Sequence, residues 1–203
     1  MKLFYSPTSP YVRKVIVLAM ETGLDAKIER IPAVTSPVEQ HPDLARANPL
    51  AKVPALVIDS GEVLFDSRVI CEYLDSQHQG PKFFPAAGPA RWTALRQQAL
   101  GDGLLDAALL VRYEGFLRPE DKRWPAWSEG QMKKITGALA EIERLAPSFG
   151  DRVDIGTVGI ACALGYLDFR FADMNWRQQH PQAAAWAARV FERPSLKATV
   201  PAA

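Results

Sequence analysis

Two Ser-Pro pairs, Ser6-Pro7 and Ser9-Pro10, follow the short run Lys2-Leu3-Phe4-Tyr5. The second pair stands directly before Tyr11-Val12-Arg13-Lys14-Val15, with Ser9 where an N-cap belongs and Pro10 where the first helical residue belongs. A hydroxyl in that place faces the free N–H groups of a helix start, so Ser9 is either a plain cap or a catalytic group. Asp66-Ser67 stands in the same way before Arg68-Val69-Ile70-Cys71-Glu72-Tyr73-Leu74 and offers a carboxylate beside a hydroxyl. Lys52-Val53-Pro54 leads into the apolar run Ala55-Leu56-Val57-Ile58.

Other chemistries find no residues to carry them. His41, His78 and His180 have no metal-ligand spacing among themselves or with Cys71 and Cys162. There is no G-x-S-x-G elbow, phosphate loop or dinucleotide fingerprint. Gly101-Asp102-Gly103 falls inside a helical pattern, so its glycines read as close-packing positions and Asp102 as a solvated residue or one lining a cleft. The two cysteines lie far apart in apolar helical patterns and read as core thiols of a reducing compartment. With 24 Lys+Arg against 23 Asp+Glu, and basic pairs not interleaved with aromatics, nucleic acid is not an expected partner. Pro7 and Pro10 interrupt any apolar leader, and no stretch reaches the roughly 18 apolar residues of a membrane span, so the expectation is a cytoplasmic protein with no membrane partner.

The elements that must position these residues fall into two groups. Residues 1–78 alternate strand and helix: a strand at Lys2 to Tyr5, a helix over Tyr11 to Gly23, a half-buried strand around Ala26 to Ile31, a Pro-punctuated irregular stretch to Pro49, a strand at Val53 to Ile58, a hairpin partner at Glu62 to Phe65, and a helix after Asp66-Ser67. The order is βαβ, then ββα. Gln79 to Ala90 concentrates Gly and Pro and reads as a linker, residues 79–90. Residues 91–203 read as an all-α domain, with helices over about 91–117, 128–145, 157–171 and 181–191. The run Val158 to Phe169 is apolar nearly all round and belongs in the middle of that domain, with Thr157 as its N-cap and only half of a capping box.

A β-α-β-α-β-β-α domain with "SPYVRK" after its first strand, "NPLAKVPAL" leading into its third and "FDS" joining its fourth to the last helix resembles the thioredoxin-like domain of cytosolic glutathione S-transferases, of the bacterial Ser/Cys type. The linker and helical domain fit the same family, so the resemblance covers essentially the whole chain. It implies glutathione as co-substrate, a homodimer, and transfer of an alkyl or aryl group to glutathione in a detoxifying reaction. The electrophile would sit in a cleft against the helical domain. Ser9 would stabilise the glutathione thiolate, with Tyr5 as the rival hydroxyl. A cis Val53-Pro54 bond would let Val53 pair, strand-like, with the cysteinyl residue. Asp66 and Ser67 would hold the γ-glutamyl end, and Lys52, or His41 or Gln40, would meet the glycyl carboxylate. Arg13 would point to the active-site mouth or pair with an acid between the domains. Arg112, Tyr113 and Trp176 would line the place of the second substrate. Alternatives in the same fold are a glutathione-dependent isomerase or dehalogenase, and a non-catalytic glutathione-binding or scaffold protein.

Overall fold

The computed structural model describes residues 1–201. The chain forms two compact units: Met1–Phe84 joined by the segment from Pro194 onward, and Pro85–Arg193.

The first unit is a four-stranded sheet with helices. Its strands are β1 (Lys2–Tyr5), β2 (Glu29–Pro32), β3 (Ala55–Val57) and β4 (Val63–Leu64), in the order β2-β1-β3-β4. β1 runs parallel to β2, β3 is antiparallel to both β1 and β4, and the register pairs Phe4 with Ala55 and Leu56 with Leu64. This is the thioredoxin-like arrangement. Helix α1 (Pro10–Glu21) buries Val12, Val15, Ile16 and Ala19 at helical spacing. It stops at Gly23, whose φ of 71° suits a residue without Cβ, and the Leu24 N–H closes the end on the Ala19 carbonyl.

The stretch read from the sequence as irregular contains a helix, α2 (Pro42–Ala47), with His41 as its N-cap. Its Leu44 is wholly buried and packs with Phe4, Ala33 and Ala55. Six residues between prolines are too few to show a period, and the fold supplies their reason to be helical by burying Leu44. Helix α3 (Ser67–Ser76) follows β4. Its N-cap is Asp66, with Ser67 as the first helical residue, one position earlier than the sequence suggested.

The second unit holds α4 (Gly88–Phe116), α5 (Pro125–Leu145), α6 (Ile155–Arg170), α7 (Trp176–Gln179) and α8 (Pro181–Val190). Helix α4 starts within the Gly/Pro-rich stretch. The first part of that stretch is fastened to the first unit, where the buried Asp75 carboxylate accepts from the N–H groups of Phe83 (2.8 Å) and Phe84 (3.0 Å). Helix α6 is buried from Ile155 to Leu167. Its N-cap is Asp154 rather than Thr157. The Thr157 N–H donates to Asp154 Oδ1, and the Asp154 N–H donates to Thr157 Oγ1, each at 3.0 Å. The capping box is complete because a Thr hydroxyl does the work of the usual Glu or Gln. Gly101 of α4 lies so close to Gly159 of α6 that a Cβ on it would stand 2.9 Å from the Gly159 backbone. Gly101 is thus a close-packing position, whereas Gly103, read the same way from the sequence, is not, since a Cβ there would meet nothing within 4 Å. Asp102, at 1% exposed, is buried rather than solvated. No single helix is long and apolar enough to cross a membrane among the described residues.

A last short helix, α9 (Pro194–Lys197), belongs to the first unit. Arg13 of α1 donates to the Leu196 carbonyl (3.0 Å) and to Thr199 Oγ1 (3.3 Å), and Ser195 Oγ meets Glu21 Oε1 at 2.5 Å. Arg13 thus ties the returning chain to α1.

Candidate active site

The sheet register brings three separated sequence signals to one edge. β1 ends at Tyr5 and runs antiparallel to β3, so the turn carrying Ser9 leaves the sheet beside the start of β3, where Val53 and Pro54 stand. β4 runs antiparallel to β3 in turn, so its exit through Phe65 to Asp66 returns to that edge. Two helix N-termini, those of α1 and α3, begin there.

Ser9 is the N-cap of α1, and its Oγ accepts from the Val12 N–H at 3.3 Å. The turn before it is closed by the Ser9 N–H on the Ser6 carbonyl (3.1 Å). Oγ is used once as an acceptor, and its own proton has no acceptor among the described residues. A hydroxyl has one donor and two acceptor positions. Ser9 is therefore a cap with a donor to spare. Tyr5, at the end of β1, is partly buried.

The Val53–Pro54 peptide bond is cis, as the resemblance implied. The N–H and C=O of Val53 make no hydrogen bond among the described residues. The loop ahead of it is shaped by a residue that sequence reading missed. Asn48, 2% exposed, donates from Nδ2 to the Lys52 carbonyl (2.9 Å) and accepts from the Leu50 N–H (3.0 Å). Ala51, at φ 50°, has its carbonyl held by Thr35 Oγ1 (3.0 Å). The signal was the Asn-Pro pair in the quoted motif, a turn former with an amide able to bridge its own loop. Lys52 is exposed beside this edge, Gln40 is exposed, and His41 spends Nδ1 on the α2 cap.

Asp66 Oδ1 accepts from the Arg68 N–H (2.9 Å) and from Ser67 Oγ (3.1 Å), while Oδ2 has no hydrogen-bond partner among the described residues. The carboxylate is exposed and Ser67 is buried. A free carboxylate oxygen thus stands beside a helix N-terminus, an arrangement suited to a ligand group carrying both an ammonium and an anion.

Of the residues expected to line a second substrate, Arg112 and Tyr113 lie partly exposed near the C-terminal end of α4. Burial pushes the Tyr113 phenol above its ordinary 10.0. Tyr166 of α6, unnoticed in the sequence, is raised too, first by burial; the charges of Arg170 and Arg112 act in the opposite sense, and Tyr113 raises it further. Trp176 does not belong with them. It is 2% exposed and its indole N–H donates to Asp168 Oδ1 at 2.8 Å, so it packs inside the helical unit and offers a ligand almost no surface. No cluster of three or more His, Cys, Asp or Glu suited to a metal occurs among the described residues.

Residues 8–77 match the glutathione S-transferase N-terminal domain, and residues 125–189 match the glutathione S-transferase C-terminal domain. The chain belongs to the glutathione S-transferase family. It is 34% identical to the GST-like protein YibF of Escherichia coli (strain K12), over 99% of this chain and 98% of that one. A solved glutathione transferase family member from Pseudomonas fluorescens Pf-5, with bound glutathione, is 49% identical and superposes with a TM-score of 0.98 over 100% of this chain and 99% of its own. A second structure from that source, with bound S-(propanoic acid)-glutathione, gives 48% identity and a TM-score of 0.93, covering 100% of both chains.

Proposed function

We propose that this family member is a glutathione transferase that binds glutathione on the first unit, stabilises its thiolate through Ser9 and presents it to an electrophile held by the helical unit. The observation that carries the reading is the set of unspent hydrogen-bonding groups at one sheet edge: the Ser9 hydroxyl proton, the Val53 N–H and C=O, and Asp66 Oδ2 beside Ser67. Glutathione complements each in order. Its cysteinyl backbone pairs with Val53, its γ-glutamyl ammonium and carboxylate meet Asp66 and the start of α3, and its glycyl carboxylate meets Lys52. The bound glutathione of the Pseudomonas fluorescens relative supports the same ligand here.

The energetics suit the role given to Ser9. A cysteine-type thiol with pKa about 8.5 is only about 3% ionised at pH 7, and lowering it by about two units requires about 2.7 kcal/mol in favour of the anion. A hydrogen bond to a charged partner contributes about 1.5–3 kcal/mol, and a helix N-terminus about 0.3–1 kcal/mol more. Ser9 at the start of α1 supplies both. Serine cannot form a mixed disulfide, so the chemistry is conjugation: the thiolate attacks carbon by substitution or addition. The protein acts as a homodimer.

Retention on glutathione-agarose, followed by conjugation assays over a panel of electrophiles, tests this reading. Retention with elution by free glutathione and turnover of at least one electrophile is expected. Retention without turnover would make the chain a binding module, and failure to be retained would remove glutathione from the account.

A further inference from the structure

Helices α4 and α6 run side by side in the same direction. Gly156 lies against the Ala94 carbonyl and Gln97, Gly159 against Gln98, and Gly101 against the backbone of Gly159 and Ile160, so position along one helix rises with position along the other. Arg112 and Arg170 each stand eleven residues, about three turns, beyond the touching pair Gly101 and Gly159. Three turns return a residue to the face it left. Both arginines therefore stand on the facing sides of the two helices, level with each other near their C-terminal ends. Tyr166, one turn before Arg170, shares that face, and Tyr113 follows Arg112 in sequence, about 100° further round α4. Burial raises the pKa of the Tyr166 phenol, and the charges of Arg170 and Arg112 oppose that rise, in keeping with the place of both arginines beside it.

The cluster has two cations and no anion to pair with them. Elsewhere in the helical unit Arg118 meets Glu114, Arg152 meets Asp154 and Arg177 meets Asp168. Arg112 and Arg170 make no hydrogen bond or ion pair among the described residues; their guanidinium carbons lie over the rings of Phe116 (4.1 Å) and Phe169 (3.8 Å). The Tyr113 and Tyr166 hydroxyls make no hydrogen bond either, and neither is a buried atom sealed from solvent. A helix C-terminus favours one cation by its dipole. That does not account for two arginines placed level with each other on the facing sides of two helices, with phenols beside them. A guanidinium stacked on a ring keeps its N–H edge open, and that edge matches a carboxylate.

We propose that Arg112, Arg170, Tyr113 and Tyr166 form a carboxylate-binding site on the helical unit, and that the electrophile of this enzyme is a short acid. This rests on the transferase reading above. With an α,β-unsaturated acid, the glutathione sulfur bonds to Cβ and the Cα–Cβ π pair moves toward the carboxylate. Cα then takes a proton from water, replacing the one glutathione released on ionising. The two guanidiniums offset the second negative charge that builds on the carboxylate during attack.

Calorimetry on the full-length protein with glutathione, S-propylglutathione and S-(2-carboxyethyl)glutathione tests the site. Wild type should bind the carboxyethyl derivative at least about tenfold more tightly than the propyl one, and Arg112→Gln and Arg170→Gln should each remove about tenfold of that affinity while changing the other two ligands less than about twofold. Equal affinity of wild type for the two derivatives, with glutathione still binding, would overturn the carboxylate site and leave the transferase reading standing. Variants that weaken all three ligands alike would mean that the arginines hold a carboxylate of glutathione itself, which also overturns it. Failure of wild type to bind any of the three would overturn both readings together.

Discussion

Ser9 accepts one hydrogen bond and has one left to give, and that division separates anchoring from activation. In the proposed reading, Asp66 offers a charged oxygen to the ligand's ammonium and the Ser9 hydroxyl proton meets the sulfur. Glutathione affinity measured by calorimetry should therefore fall about tenfold or more in Asp66→Ala and only about twofold to threefold in Ser9→Ala. The opposite ranking would reverse the two roles. Ser9, Pro54 and Asp66 were legible in the sequence because each sits at an element boundary, where a cap or a proline has a fixed meaning. Asn48 was less so, because its role depends on a loop closing over its amide. Tyr166 and Arg170 sit at the end of an apolar run that reads as core, and only the parallel packing of two helices brings them to Arg112. Trp176 was misread for the converse reason: an aromatic after a loop gives no sign that its indole is turned inward on Asp168.

The helical elements make their own predictions through close approaches and caps. A Cβ at Gly101 would press on rigid backbone at 2.9 Å, whereas one at Gly103 of the same helix would meet nothing within 4 Å. In urea denaturation, Gly101→Ala should cost about 1–3 kcal/mol, and Gly103→Ala should gain about 0.5–1 kcal/mol through helix propensity. Equal effects would mean that α4 and α6 are not packed as described. Between α4 and α5, the Glu114 carboxyl is held below its ordinary 4.5 first by the Trp124 N–H and then by Arg118. A carboxyl lowered by folding contributes stability that is present above its unfolded pKa and lost as pH falls through the folded value. Thermal melts should therefore show a decline below about pH 4.5 that is shallower in Glu114→Gln than in wild type. A decline of the same steepness in both would place the acid sensitivity elsewhere. The long helices were legible because several turns of period outvote their ends. Helix α2 was not legible in the residue pattern, since its prolines announce interruption; only the family resemblance placed a second helix there, and the burial of Leu44 makes it one.

At the scale of the whole molecule, the division into a strand-and-helix unit and a helical unit was written in the change of period and in the Gly/Pro stretch between them. The return of the last segment to the first unit was not, because it depends on Arg13 reaching chain nearly two hundred residues away. The proposed homodimer should appear in light scattering at twice the 22.4 kDa chain mass, and a monomer at micromolar concentration would remove it from the account. The claim on which the rest depends is that the protein lowers the pKa of glutathione through Ser9. Ultraviolet absorbance of the thiolate, followed against pH with glutathione bound, reads this directly. Wild type should titrate about two units below free glutathione, Ser9→Ala should move back up by about one to two units while still binding, and Tyr5→Phe should follow wild type. A Ser9→Ala titration superimposable on wild type would contradict the account and leave Ser9 as a helix cap alone.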